Sequence, residues 1–209
     1  MSGTRVAVRF VIAFSLQAAL SAQSPHLEQR VPGPVLAAVG PILDSARAAG
    51  LPTGPLEEKI LEGVTKQADA VHIATALRRL AGELAGARGA LGQRATVREL
   101  VAGAGALRVG LRLGDLVRVR AARPGQGPAV ALEVATDLIT QGVPPDTATR
   151  VVLSVLGAGA SDADLEQLRI AVERDVAGGM PAAVAASVRA RVLGGSSGAP
   201  NPVTPGPPH

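Results

Sequence analysis

The chain has 209 residues, of which 47% are hydrophobic and only 1% aromatic, and 21 basic residues face 17 acidic ones. It contains no Cys, Trp or Tyr. The absence of Cys excludes disulfides and cysteine-based zinc sites. The near absence of aromatic rings disfavours binding of single-stranded nucleic acid, whose bases stack on such rings. The pI of about 10.8 reflects the use of Arg, which does not titrate below about pH 12. It therefore does not indicate a strongly basic surface.

Residues 1–22 have the three parts of a secretory signal peptide in the usual order. Two arginines and no acid precede a run of thirteen mostly apolar residues (FVIAFSLQAALSA) that ends in small side chains. Such a run is too short to span a bilayer, which takes about 20 residues. We expect cleavage after Ala22, with Ala19 and Ser21 as the alternative, and export to the periplasm or the cell exterior. The other interpretation is a buried N-terminal helix of a cytosolic protein.

Cleavage would remove two Arg and no acid, so the formal net charge would fall from +4 to +2. We then expect an extended leader over residues 23–33, an all-helical domain over residues 34–193 and a tail over residues 194–209. The tail consists mainly of Gly, Pro and Ser with a single Val. It cannot bury enough surface to offset its ordering entropy and is predicted to be disordered.

Pro and Gly separate stretches of helical periodicity along the domain. The first helix is predicted over residues 41–49, with Pro41 at its start and Gly50 past its end, and the second over residues 55–66. Asp69 caps a longer third helix. The apolar residues of that helix recur every three or four positions, at Ile73, Leu77, Leu80, Leu84, Ala87 and Leu91.

Six more helices are predicted after this one. Thr96 with Glu99 has the capping-box pattern of a helix start, and Ser161 with Asp164 marks another. The predicted ranges are 96–107, 114–122, 128–141, 145–156, 161–177 and 181–193. Residues 107–121 also alternate apolar residues and Arg around a Gly-Asp pair, which is typical of a β-hairpin. We predict the helix there, because a Gly-apolar turn precedes it.

A weak internal repeat joins four places where a Gly precedes an apolar residue, a short polar or Pro stretch and a helix. These are Gly63 with Val64, Gly110 with Leu111, Gly142 with Val143, and Gly179 with Met180. The pattern indicates a helix that ends at Gly, a tight turn with one apolar plug, and a next helix that packs back. We predict an all-α fold, a compact array of short helical hairpins, although the signatures of the common helical repeats are missing.

Residue types that carry catalysis are scarce. His72 is the only His in the predicted domain and lies off the apolar stripe, so we expect it at the surface, and no second His stands at zinc-ligand spacing. No Ser lies in a nucleophile elbow. The clustered acids occupy first turns of helices, where the helix dipole favours carboxylates. We predict that the protein is not an enzyme and has no cofactor or metal, with an enzyme of unrecognised type as the second alternative.

The densest group of bases is interrupted by one acid, Asp115. Its members are Arg108, Arg112, Arg118, Arg120 and Arg123. Such a patch suits an acidic protein or anionic lipid head groups, unless it is simply a solvated face. The sequence predicts an exported interaction or structural module of the cell envelope with a protein partner. The alternative is a peripheral module that binds anionic lipid, and nucleic acid is not expected as a partner.

Overall fold

Helices account for all the regular secondary structure in residues 25–196, the part of the chain that the computed structural model describes. They are α1 (Pro25–Glu28), α2 (Gly33–Ala48), α3 (Gly54–Thr65), α4 (Ala70–Leu91), α5 (Val97–Arg108), α6 (Leu113–Ala121), α7 (Ala129–Thr140), α8 (Pro145–Gly157), α9 (Asp162–Ala177) and α10 (Ala182–Ser196). No strand occurs in this range. The predicted all-α class is therefore confirmed, and α6 is a helix, not part of a hairpin.

The observed start of α2 differs from the prediction. Pro34 lies in its first turn, and the helix continues through Pro41, where the sequence pattern placed a helix start. An internal Pro removes one hydrogen bond from a helix. Val35, Val39 and Leu43, however, are spaced four residues apart and are all buried, so the burial of this continuous stripe outweighs the lost bond.

The N-terminal part of the described chain also differs from the predicted extended leader. Residues 25–28 form the single turn α1, and Leu27 and Val31 are buried in the core. These two side chains give the segment enough apolar contact to pack against the helices, so it belongs to the helical domain. The predicted signal peptide lies outside the described residues.

The C-terminal boundary lies slightly later than predicted. Residues 194–196, which were assigned to the tail, form the last residues of α10. The remaining tail, residues 197–209, lies outside the described part of the chain.

Six helices end in the same hydrogen-bonded turn, the Schellman motif. In each, a residue with positive φ donates its N–H three residues back, and the apolar residue after it donates its N–H five residues back. At the end of α7, for example, the Gly142 N–H donates to the Ile139 carbonyl and the Val143 N–H donates to the Leu138 carbonyl, both at 2.9 Å. The six pairs are Gly50 with Leu51, Gln67 with Ala68, Gly110 with Leu111, Gly142 with Val143, Gly159 with Ala160, and Gly179 with Met180.

The predicted repeat is thus observed at three of its four places, and the fourth, at Gly63, is wrong. Gly63 lies inside α3, and the turn after that helix is made by Gln67, whose φ is +57°. Gly63 has a different role, since a Cβ atom there would lie 2.7 Å from Cγ1 of Ile73. A Gly is needed because α4 packs directly against the backbone of α3.

From α4 onwards the helices form two layers. One layer contains α4, α6, α8 and α10, the other contains α5, α7 and α9, and each helix contacts the next in its own layer. α2 extends the first layer beyond α4, and α3 packs against α4. Tight turns that send each helix back beside the previous one produce such an array of hairpins.

The hydrophobic core of the described residues is built from aliphatic side chains. The buried hydrophobic residues in the described part of the chain are all Leu, Val, Ile or Ala. Because these side chains are short, helices approach closely at small residues. A Cβ atom on Gly103 of α5 would lie 2.9 Å from Cβ of Ala87 on α4, so the contact between these helices depends on that Gly. Among the described helices, none is both long and apolar enough to cross a membrane.

We expect Gly142→Ala to lower the free energy of unfolding by about 1 to 2 kcal/mol, because a side chain disfavours the left-handed region by that amount. A Cβ atom there would meet only Cβ of Ala182, at an ordinary 3.9 Å, so the cost is conformational. Denaturant unfolding followed by far-ultraviolet circular dichroism measures it.

The same substitution at Gly82, in the middle of α4 with no atom within 4 Å of its would-be Cβ, is the matched control. It should raise stability by about 0.5 to 1 kcal/mol. Equal effects of the two substitutions would show that the turn at Gly142 does not depend on its positive φ.

Candidate binding surface

The five arginines predicted as one patch are separated by the fold. Arg108 lies at the end of α5, where its Nη2 is 2.6 Å from Oε2 of Glu83 on α4. Glu83 is largely buried and also accepts a hydrogen bond from Arg79 at 2.9 Å. The charge of Arg108 is therefore compensated within the fold, where it links α4 to α5.

Arg112 and Arg118 share the buried carboxylate of Asp115. The backbone N–H of Arg112 donates to Oδ2 of Asp115 at 2.8 Å, and Nη2 of Arg118 donates to Oδ1 of Asp115 at 2.5 Å. The guanidinium of Arg112 also pairs with Asp146 of α8. Burial alone raises the pKa of Asp115, but the hydrogen bonds and positive charges of the two arginines outweigh it and hold the pKa below its usual value. The ionised carboxylate fixes the first turn of α6.

Arg123 lies just beyond α6 and is buried, with 4% of its side chain exposed. Its Nη1 lies 2.6 Å from Oδ1 of Asp162 at the start of α9. These two atoms form an ion pair, but the N–H groups of Nη1 are not aligned for a hydrogen bond. The Nη2 of Arg123 donates to Oε1 of Gln126. Its Nε has no hydrogen-bond partner. Arg123 therefore attaches the loop after α6 to α9.

Arg120 is exposed and forms no ion pair with any acid in residues 25–196. Its guanidinium lies against Gly92 in the loop between α4 and α5, because a Cβ atom on Gly92 would lie only 2.7 Å from Nη1. Gly92 also has a positive φ of +92°. The absence of a side chain at Gly92 thus gives Arg120 its place beside this loop.

The outer surface of α6 carries an apolar ridge that the sequence analysis did not single out. Leu113 is 52% exposed and Val117 is 49% exposed, and with the exposed Ala121 they recur every four residues on one face. At 100° per residue, Arg118 and Arg120 lie on opposite sides of this ridge. We name Leu113, Val117 and Ala121 the α6 ridge.

A depression lies on each side of the α6 ridge. The first, the loop cavity, has a volume of about 460 Å³ and lies between the α4–α5 loop and the α6–α7 loop, with Arg94 and Arg120 in its lining. The second, the α6–α8 groove, has a volume of about 580 Å³ and is lined by Arg112, Arg118 and Arg150 among others. The ridge is therefore flanked by basic depressions on both sides.

Two arginines of these depressions were missed by sequence reasoning. Arg94 and Arg150 are exposed and, within the described part of the chain, pair with no acid. They stand outside the dense group of bases and reach α6 only because neighbouring helices of the array are stacked. The spacing of Leu113 and Val117, in contrast, was visible in the sequence as an i, i+4 pair on a helix.

His72 lies at the surface, as predicted, with 80% of its side chain exposed. Asp69, which caps α4, accepts hydrogen bonds from the backbone N–H of His72 at 2.8 Å and from its Nδ1 at 2.7 Å. These bonds lower the pKa of Asp69, and their geometry is that of a helix cap. A shallow cavity of about 230 Å³ beside His72 is lined by Lys59, Glu62 and Lys66 among others.

Among the clustered acids at the start of α9, Asp164 is likewise engaged in a helix cap. Asp164 accepts hydrogen bonds from the Ser161 N–H at 2.8 Å and from the Ser161 hydroxyl at 2.7 Å, which lowers the pKa of Asp164. Within residues 25–196, His, Asp and Glu side chains do not gather in threes as a metal ion would require.

Comparison with known proteins finds no family model, no curated protein and no solved structure that matches this chain.

We expect Asp115→Asn to lower the free energy of unfolding by about 1 to 2 kcal/mol, because charged hydrogen bonds at a buried group are lost. Asp146→Asn is the matched control: it also removes a carboxylate next to Arg112, but from an exposed ion pair, so its cost should stay below about 0.5 kcal/mol.

The stability due to Asp115 should also depend on pH. The folded pKa of this group lies below its unfolded value, so its contribution is fully present above the unfolded pKa of about 4 and is lost as the pH falls through the folded pKa. The difference between the wild type and Asp115→Asn should therefore shrink below about pH 4. A constant difference down to pH 2 would contradict this assignment.

Proposed function

We propose that the chain is an exported, non-enzymatic helical module that binds an acidic partner protein through the α6 ridge and its basic flanks. The observation that carries this proposal is the exposed pair Leu113 and Val117 between Arg118 and Arg120 on α6. An apolar strip with bases on both sides matches a partner surface that has an apolar strip bordered by carboxylates.

The energetic roles of the ridge and the flanks differ. Complete burial of Leu113 and Val117, which are already half-buried, contributes roughly 1 kcal/mol each. Arg94, Arg120 and Arg150 lack acid partners within residues 25–196, so a partner does not have to break existing ion pairs to reach them. Apolar burial therefore supplies affinity, and the unpaired arginines supply orientation and selectivity for acids.

A protein partner fits this surface better than an anionic membrane. Membrane binding grows with the buried apolar area and the excess of positive charge, and here the ridge has only two large side chains without rings. Asp115 and Asp146 also offset part of the basic charge on the α8 side. The depressions on either side of the ridge are concave, and they suit protruding carboxylate side chains.

The other parts of the proposal rest on the sequence. Export rests on the basic start, the short apolar run and the small residues of the first 22 positions. The non-enzymatic part is supported by the scarcity of catalytic residue types and by the role of the His72 and Asp69 pair in capping α4.

Photocrosslinking in cells that export the chain tests the proposed surface. A benzophenone side chain at position 117 should give a discrete protein adduct whose crosslinked segment is acidic. The same group at position 71 is the control. Val71 is 73% exposed but lies about 22 Å along α4 from Gly86, against which Leu113 packs.

Replacement of Arg120 and Arg150 by Glu should abolish the adduct at position 117. Neither side chain has an acid partner within the described residues, so the fold should be retained, as circular dichroism would verify. Protein adducts of equal yield at positions 71 and 117 would contradict the proposal. Labelling of lipid alone, with flotation on phosphatidylglycerol vesicles, would assign the surface to an anionic membrane instead.

A further inference from the structure

Among the connections between α2 and α10, two lack the tight turn, and they lie side by side in the array. Gly92 begins the loop between α4 and α5, and residues 122–128 form the loop between α6 and α7. Because α4 and α6 are neighbours in one layer and α5 and α7 in the other, these loops stack as corresponding parts of successive hairpins. The loop cavity is the space between them.

The side chains of the loop cavity are rich in hydrogen-bond donors. Arg94 and Arg120 each present a guanidinium without an acid partner in the described part of the chain. The Oε1 of Gln126 faces Arg123, because an arginine only donates, so the amide nitrogen of Gln126 remains as a free donor. Thr96 accepts from the backbone N–H of Glu99, which leaves its hydroxyl proton to donate.

The acids near the loop cavity are already engaged. Glu99 is the only acid in its lining, and one of its oxygens accepts from the Thr96 N–H at 2.7 Å. Its other oxygen would lie 2.9 Å from a Cβ atom on Gly127, so it rests against the second loop. Asp162 offsets the buried charge of Arg123. The charges of Arg94 and Arg120 together therefore exceed that of Glu99.

Several side chains around the loop cavity are held in place before any ligand arrives. Arg123 is buried, is paired with Asp162 and orients Gln126. The Thr96 and Glu99 capping box fixes the start of α5. Gly92 lets the Arg120 guanidinium approach the first loop. Donors fixed by the fold bind an anion without having to be ordered first.

From this arrangement we propose that the loop cavity is a binding site for a small oxyanion, either a phosphate or a carboxylate, held between Arg94 and Arg120. Its volume of about 460 Å³ lies within the usual range for ligand pockets. Planar guanidinium groups bind both types of oxyanion with paired hydrogen bonds. The proposal goes beyond the partner surface, since it requires no protein partner.

Isothermal titration of the full-length chain with inorganic phosphate and with succinate, at constant ionic strength in chloride, tests the site. We expect saturable binding of at least one of them with a stoichiometry near one, and the stronger of the two identifies the ligand type. Arg94→Gln and Arg120→Gln should each weaken that binding about tenfold, as the loss of a charged hydrogen bond implies. Arg78→Gln, at another exposed arginine without an acid partner among the described residues, should leave it unchanged.

Glu99→Gln provides a test in the opposite direction. Gln supports the capping box as Glu does, so the fold is kept while the negative charge leaves the cavity, and binding should become several-fold tighter. Absence of saturable binding of both anions at 10-millimolar concentrations, on the order of the weakest specific affinities, would overturn the proposal. Equal weakening by Arg78→Gln, or weaker binding in Glu99→Gln, would overturn it too. The crosslinking at position 117 is a separate measurement, because it depends on the α6 ridge and Arg150 as well as on Arg120.

Discussion

The architecture depends on a local backbone constraint, the turn in which a residue with positive φ ends one helix and the next apolar residue donates its N–H back to that helix. Leu111 and Val143 illustrate it: each follows a left-handed Gly, donates its N–H to the helix it has just left, and is buried. At these turns the left-handed Gly and the apolar residue after it end a helix, satisfy two of its last carbonyls and anchor the chain in the core. Repetition of this turn sends successive helices back and forth and stacks them in two layers.

The candidate surface follows from the places where this turn is missing. Between α4 and α5, and again between α6 and α7, the tight turn does not form. The stacking of hairpins then brings these looser loops together, with Arg94 from one and Arg123 from the other around one cavity. The tight turns build the two layers of helices, and the α4–α5 and α6–α7 loops leave the loop cavity between them. α6, between them, exposes its ridge beside that space.

Local signals in the sequence were sufficient for the helices from α3 onwards, because residues at the ends of these helices mark where each begins or ends. The Asp69 cap, the Thr96 and Ser161 capping boxes and the Gly ends are all read within a few residues. The failures occurred where tertiary packing overrides local preference. Pro41 lies inside α2 because a buried stripe continues past it, and Gln67 adopts a conformation that the sequence suggested only for Gly.

The arrangement of charge was less predictable than the helices. Proximity in sequence suggested one arginine patch, but Glu83, Asp146 and Asp162, each more than 20 residues from its partner, neutralise Arg108, Arg112 and Arg123 in the fold. Conversely, Arg94 and Arg150 join the surface from other helices. Pairings between distant residues depend on which helices stack, and the local spacing of residues in a single sequence does not record that.

The core without rings has a consequence for how the fold tolerates change. Truncation of a fully buried Leu to Ala still leaves a cavity and should cost about 2 to 5 kcal/mol. Larger side chains at the helix contacts are not accommodated. A Cβ atom on Gly63 or Gly103 would lie within 3 Å of a neighbouring side chain, and a packed interior resists insertion. The interior should therefore accept exchanges of similar volume among Leu, Ile and Val more readily than growth at these glycine contacts.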